Sequence, residues 1–127
     1  MGRAAAQAMP ARADWAVISI HDYFQAPALL QEGWHDILRL PFYDQELAVA
    51  GLKSFTDEQA DAAVAFVDKV APHVAGILVH CQKGESRSAA VAKYIAQRYQ
   101  LDFPAQYDRF NELVYRTLQE RSARPQV

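Results

Sequence analysis

Apolar residues along the chain fall into short blocks with polar punctuation between them, and the period changes from block to block. Trp15, Ala16, Val17, Ile18, Ser19 and Ile20 form a near-continuous apolar run rich in branched side chains. That pattern predicts a buried strand. His21, Asp22, Tyr23, Phe24 and Pro27 predict a loop, followed by a short helix over 28–31 and a turn at Gly33. A second strand is expected over 36–40, stopped by Pro41, and then irregular chain over 42–52 with Gly51 as a breaker.

Thr56 and Gln59 have capping-box spacing, with Asp57 and Glu58 in the positive first turn of the helix they announce. Ala63, Phe66, Val67 and Val70 recur at helical spacing, and Pro72 follows the stop. A short apolar third strand is expected over 74–80. The polar loop 82–87 contains a glycine and leads into a helix of small residues over 88–99. A last helix is expected over 104–121, opening at Pro104. Tyr107, Phe110, Val114 and Leu118 would line one of its faces. Strands alternating with helices predict an α/β fold, a central and mainly parallel sheet flanked by helices.

With 127 residues, the chain has room for one core. Residues 14–121 are expected to form that single domain, with 1–13 a flexible lead-in and 122–127 a flexible tail. Apolar residues make up 51% and charged residues 22%, an ordinary globular balance. The formal net charge of −2 argues against nucleic acid as a partner through any large basic face. The longest uncharged stretch, 70–82, holds Pro72 and falls short of the roughly 18 residues a membrane helix needs, so no membrane partner is expected. No apolar run near the start suits a secretory signal. The single cysteine, Cys81, excludes an internal disulfide framework and a four-cysteine zinc site, and it fits a reducing cytoplasm.

Cys81 stands where the third strand ends. Gln82, Lys83, Gly84, Glu85, Ser86 and Arg87 follow, and a helix begins there. In a strand–loop–helix turn the loop amides can converge on one point, and the helix N-terminus adds partial positive charge. Gly84 permits a backbone angle that a side chain resists. Arg87 carries a planar donor fork matched to two phosphate oxygens. The same dipoles that bind phosphate stabilise a thiolate, so one loop both activates the nucleophile and holds the electrophile. Ser88 is positioned to hydrogen-bond the sulfur. His80 precedes Cys81 in the strand, so its side chain points to the opposite face and is expected to organise the loop. Lys83 reads by default as a solvated charge. His21 and His35 lack metal-ligand spacing and read as structural or exposed.

The run His80-Cys81-Gln82-Lys83-Gly84-Glu85-Ser86-Arg87-Ser88 resembles the signature of the cysteine-dependent protein tyrosine phosphatases. It is most similar to that of the dual-specificity group and of small bacterial phosphatases. The order of elements from Trp15 to Tyr99 resembles that family as well. The resemblance implies a dual-specificity-phosphatase-like fold and a two-step hydrolysis of phosphotyrosine-type monoesters through a cysteinyl-phosphate. It implies a phosphorylated protein or small phosphomonoester as substrate, and neither metal nor organic cofactor. An aspartic acid would protonate the leaving oxygen and then activate water.

In that family the acid lies a few dozen residues before the cysteine, just past the second strand, and Asp44 fits the place. Asp22 follows the first strand and would open on the same edge, so it is the rival. Asp36 would lie at the far end of its strand, and Asp57 is claimed by the helix start. Glu85 departs from the pattern by putting a negative charge in a phosphate loop. The stretch before the first strand is too short for the segment that deepens the cleft in the large classical enzymes, so a shallow site is expected, open also to phosphoserine, phosphothreonine or non-protein phosphates. The alternatives are a phosphate-reading pseudophosphatase that binds without turnover, and a rhodanese-like cysteine enzyme with a similar loop.

Overall fold

The computed structural model describes residues 1–46 and 53–123. Its sheet has β1 (Trp15–His21) between β2 (Ile37–Pro41) and β3 (Gly76–His80), all parallel. The central place of β1 accounts for its unbroken apolar run, because a strand with neighbours on both edges and cover on both faces has no solvent side. Ala16, Ile18 and Ile20 join a core with Val67 and Val70 of α2 (Asp57–Val70), Val91 of α3 (Arg87–Arg98), and Val114 and Leu118 of α4 (Glu112–Ser122). Each valine, leucine or isoleucine among them contributes roughly 1.5–3 kcal/mol by leaving water. Helices α2 and α3 both pack on α4. Among the described residues, no helix is long and apolar enough to cross a membrane.

The capping box at the start of α2 is present in full: the Gln59 amide donates to Thr56 Oγ1, and the Thr56 amide donates to Gln59 Oε1, both at 3.1 Å. The three strands and the helices over 57–70 and 87–98 lie within a residue or two of their expected places. Four regions differ from the sequence reading. The expected lead-in contains a helix, α1 (Arg3–Ala8), with Ala6 fully buried. Residues 28–31 are not helical. The Leu29 amide donates to Gln7 Oε1 of α1, and the Ala28 carbonyl accepts from Arg39 as well as from the Leu30 amide.

The last helix starts at Glu112 and not at Pro104. Asn111 caps it, and the preceding segment spends its donors on the loop after Cys81: the Tyr107 hydroxyl donates to the Glu85 carbonyl, and the Asn111 amide to the Ser86 carbonyl. Tyr107 and Phe110 therefore lie outside the helix whose stripe they were expected to share. Fourth, Pro41 closes β2 as its last residue and does not merely stop it. Gly51 and the end of the tail lie outside the described residues.

Parallel strands send their C-terminal ends to one edge of the sheet. Residues 22–25 after β1, 42–46 after β2 and 81–86 after β3 meet there, the usual place for a ligand in an open α/β sheet.

Candidate active site

Cys81 is the first residue beyond β3 and is 2% exposed. Its Sγ lies 3.3 Å from the Gly84 amide, which donates to it, and 3.2 Å from Ser88 Oγ. Burial pushes the thiol up. The Ser88 hydroxyl, the Ser88 and Gly84 amides and the Arg87 charge together outweigh it and hold the thiol below its ordinary value. The loop closes tightly because Gly84 adopts φ +79°. A Cβ there would lie 2.6 Å from the Met1 carbonyl carbon, so the Met1 backbone would have to shift. The N-terminal segment holds the other side of the loop: the Cys81 amide donates to the Met1 carbonyl and the Arg3 amide to the Gln82 carbonyl.

His80 is fully buried behind the loop. Ser19 and His80 are register partners across β1 and β3, which brings Ser19 Oγ to 2.6 Å from His80 Nε2. His80 Nδ1 is 3.3 Å from the Cys81 carbonyl. A carbonyl only accepts, so Nδ1 carries the proton and Nε2 accepts from Ser19, whose oxygen in turn accepts from Arg39 at 3.4 Å. The chain Arg39, Ser19, His80, Cys81 carbonyl is thus directed throughout and uses a neutral imidazole.

Burial, first, and then the nearby charges of Arg3 and Arg39 hold His80 below its ordinary value, against the opposing bond to Cys81. The unfolded chain takes up this proton near about pH 6.5 and the folded chain only at lower pH. Between those values the unfolded state binds more protons, so stability falls as pH drops through that window. Urea midpoints at pH 7.5 and 5.5 should show this decline, and His80→Gln should make it shallower. An equal decline in both proteins would assign it to other groups.

Arg87 opens α3 and is buried. Its Nη1 donates to Asp22 Oδ1 at 2.8 Å and to the Phe42 carbonyl at 2.7 Å. Loops from all three strands thereby converge on one guanidinium. Asp22, the rival acid in the sequence reading, is the partner of this arginine. The segment around it is tied to the loop after Cys81 a second time, through Gln25 Nε2 donating to Gln82 Oε1 at 3.1 Å.

Asp44 lies on the opposite wall. Its Oδ1 accepts from Ser86 Oγ at 2.8 Å and from Asn111 Nδ2 at 2.7 Å. Gln82, Lys83 and Glu85 have exposed side chains, so the charge of Glu85 faces solvent. Asp36 pairs with Lys69 at the far end of the sheet. Its carboxyl is held below the ordinary range, chiefly by the hydrogen bond from that lysine. Among the described residues, no group of three His, Cys, Asp or Glu side chains is placed to hold a metal ion.

The structure thus gathers Cys81, Gly84, Ser86, Arg87, Ser88 and Asp44 around one loop, with His80 behind it. Sequence reasoning missed Ser19, Asn111 and the pairing of Asp22 with Arg87. The strand register, once known, would have yielded Ser19. The other two join residues far apart in sequence.

No family model matches the sequence, and no curated protein matches it either. Solved structures do match. Human DUSP28 superposes with a TM-score of 0.56 at 19% identity, over 94% of this chain and 80% of that one. The human tyrosine phosphatase-like serine/threonine/tyrosine-interacting protein superposes with a TM-score of 0.57 at 20% identity, over 85% of this chain and 76% of that one. The chain has the α/β fold of the dual-specificity phosphatases, with a three-stranded parallel sheet flanked by helices.

Proposed function

We propose that this chain is a cysteine-dependent phosphatase of phosphotyrosine-type monoesters, able to accept phosphoserine and phosphothreonine where the open site admits them. The observation that carries this reading is the placement of Cys81 Sγ, 3.3 Å from the Gly84 amide and 3.2 Å from Ser88 Oγ, at the start of the helix that Arg87 opens. With Nη1 of Arg87 engaged by Asp22 and Phe42, its Nε and Nη2 edge forms the fork for two phosphate oxygens. The amides of residues 82–87 take the remaining oxygen charge.

Cys81 thiolate attacks phosphorus as the ester P–O bond breaks. Asp44 gives its proton to the leaving oxygen. The Asp44 carboxylate then takes a proton from water, whose oxygen attacks the same phosphorus. The S–P bond breaks, inorganic phosphate leaves, and the thiolate returns, with Ser88 hydrogen-bonded to it. The Asp44 assignment is supported by its contact with Ser86 of the loop and by the prior engagement of Asp22.

The test is turnover of phosphotyrosine and of an aryl phosphate from pH 5 to 8. Asp44→Asn should lower kcat on phosphotyrosine by about 10²–10³-fold, the usual worth of a general acid, and should flatten the alkaline limb. An unchanged limb would return the role to Asp22. Inert wild-type protein that still binds a phosphopeptide tightly would favour the phosphate-reading module. One of the matched structures is a tyrosine phosphatase-like interacting protein, which keeps that reading in view. Persulfide on Cys81 would favour the rhodanese-like alternative.

A further inference from the structure

The segment carrying Asp44 is fastened to the start of α4 more firmly than to the phosphate loop. Asn111 Nδ2 donates to Asp44 Oδ1 at 2.7 Å and to the Gln45 carbonyl at 2.9 Å. The Glu112 amide donates to Glu46 Oε2 at 3.0 Å. Asn111 Oδ1 accepts from the Val114 amide at 3.0 Å, which makes this residue the N-cap of α4. Its own amide donates to the Ser86 carbonyl at 3.1 Å, at the end of the loop that begins with Cys81. Asn111 is fully buried.

A helix cap needs only the oxygen, and Asp or Ser serves there as well as Asn. The Nδ2 group is surplus to capping. Here it reaches the carboxylate of Asp44, which also accepts from Ser86 of the phosphate loop. The backbone of Asn111 also fixes its distance to that loop. One residue therefore sets Asp44 relative to Ser86 and, through the loop, relative to Cys81.

We propose that Asn111 is a positioning residue, with α4 as a latch that holds Asp44 in register for proton transfer. The inference rests on reading Asp44 as the acid. With Oδ1 held by Asn111 and Ser86, the proton donated to the leaving oxygen sits on Oδ2. Removing the Nδ2 donor lets the carboxyl swing, and proton transfer tolerates little displacement.

Asn111→Asp keeps the capping oxygen and turns an acceptor toward Asp44, and Asn111→Ser keeps the cap without adding charge. The two variants are compared with wild type on phosphotyrosine, whose leaving group needs a proton, and on dinitrophenyl phosphate, whose leaving group does not. Both should lose about 10–100-fold in kcat on phosphotyrosine and less than about threefold on dinitrophenyl phosphate. Neither should lose further activity when Asp44→Ala is added, since the two residues act as one unit. Equal losses on both esters, no loss on phosphotyrosine, or losses that add to those of Asp44→Ala would overturn the latch while leaving the phosphatase reading standing. Wild-type protein inert toward both esters would overturn that reading, and the latch with it.

Discussion

Replacing Cys81 by serine is expected to lower turnover of an aryl phosphate by at least about 10⁴-fold while leaving phosphate binding nearly intact. The two sides of this expectation have separate causes. Binding is assigned to the loop amides, the start of α3 and the Arg87 fork, of which the substitution changes only the acceptor facing the Gly84 amide. Chemistry is assigned to a sulfur whose surroundings favour its ionised form: the Gly84 and Ser88 amides and the Ser88 hydroxyl stabilise negative charge on Sγ and hold the thiol below its ordinary value. A serine hydroxyl in the same place stays protonated near neutrality, and no base is aimed at it, because the neighbouring His80 faces away and its ring is engaged with Ser19 and the Cys81 carbonyl. The variant should therefore trap a phosphopeptide without consuming it. The same logic fixes a pH dependence. Since the folded thiol is shifted down, alkylation of Cys81 by iodoacetamide should reach its plateau at lower pH than for a free thiol, and Ser88→Ala should move that plateau back up. Residual turnover within tenfold of wild type, or an alkylation profile like that of free cysteine, would remove the nucleophile from the mechanism.

Arg87→Lys should lower kcat/KM by about 10³-fold and weaken inhibition by tungstate to a similar degree. Charge is conserved in this substitution, so the size of the effect measures geometry. The guanidinium performs two tasks at once: Nη1 joins Asp22 to the Phe42 carbonyl, and the opposite edge offers two parallel donors. A lysine ammonium is a single point and reaches one of these sets at a time. Losing one preorganised donor to a developing oxyanion removes about 10²–10³-fold, and the fork supplies two. The substitution also leaves Asp22 and a buried carbonyl without their shared donor, so a fall of about 1–3 kcal/mol in stability should accompany the kinetic loss. An Arg87→Lys protein with a tenfold defect or less would show that the fork is not what recognises phosphate.

The loop after Cys81 was legible in the sequence because its logic is local. A strand end, a cysteine, a glycine, an arginine and a helix start lie within one short segment, and each leaves a residue type that the backbone demands. The capping box of Thr56 and Gln59 was legible for the same reason, and so was the apolar run of β1. What escaped has the opposite character. The bond from Arg87 to Asp22 spans 65 positions and that from Asn111 to Asp44 spans 67, and neither leaves a periodic trace. The helix expected from Pro104 illustrates the conflict. Its apolar spacing is real, yet the Tyr107 hydroxyl and the Asn111 amide both hydrogen-bond to the loop after Cys81, and those contacts hold the segment out of the helix. Segment 28–31 yields to α1 in the same manner. Local preference decided wherever no distant partner claimed the backbone, and gave way where one did.

The wholly parallel sheet also governs when this site comes into being. No two of its strands are joined by a hairpin, and Ser19 must find His80 across 61 positions of chain. Closing so long a loop is slow, because its entropy is lost before any contact compensates. A polypeptide emerging from the ribosome would carry an ordinary, unactivated thiol until β3 has docked on β1 and α3 has formed, bringing Gly84, Arg87 and Ser88 around Sγ. Reactivity at Cys81 would then arise only with the finished fold, which spares the nascent chain a nucleophile it could not yet shelter.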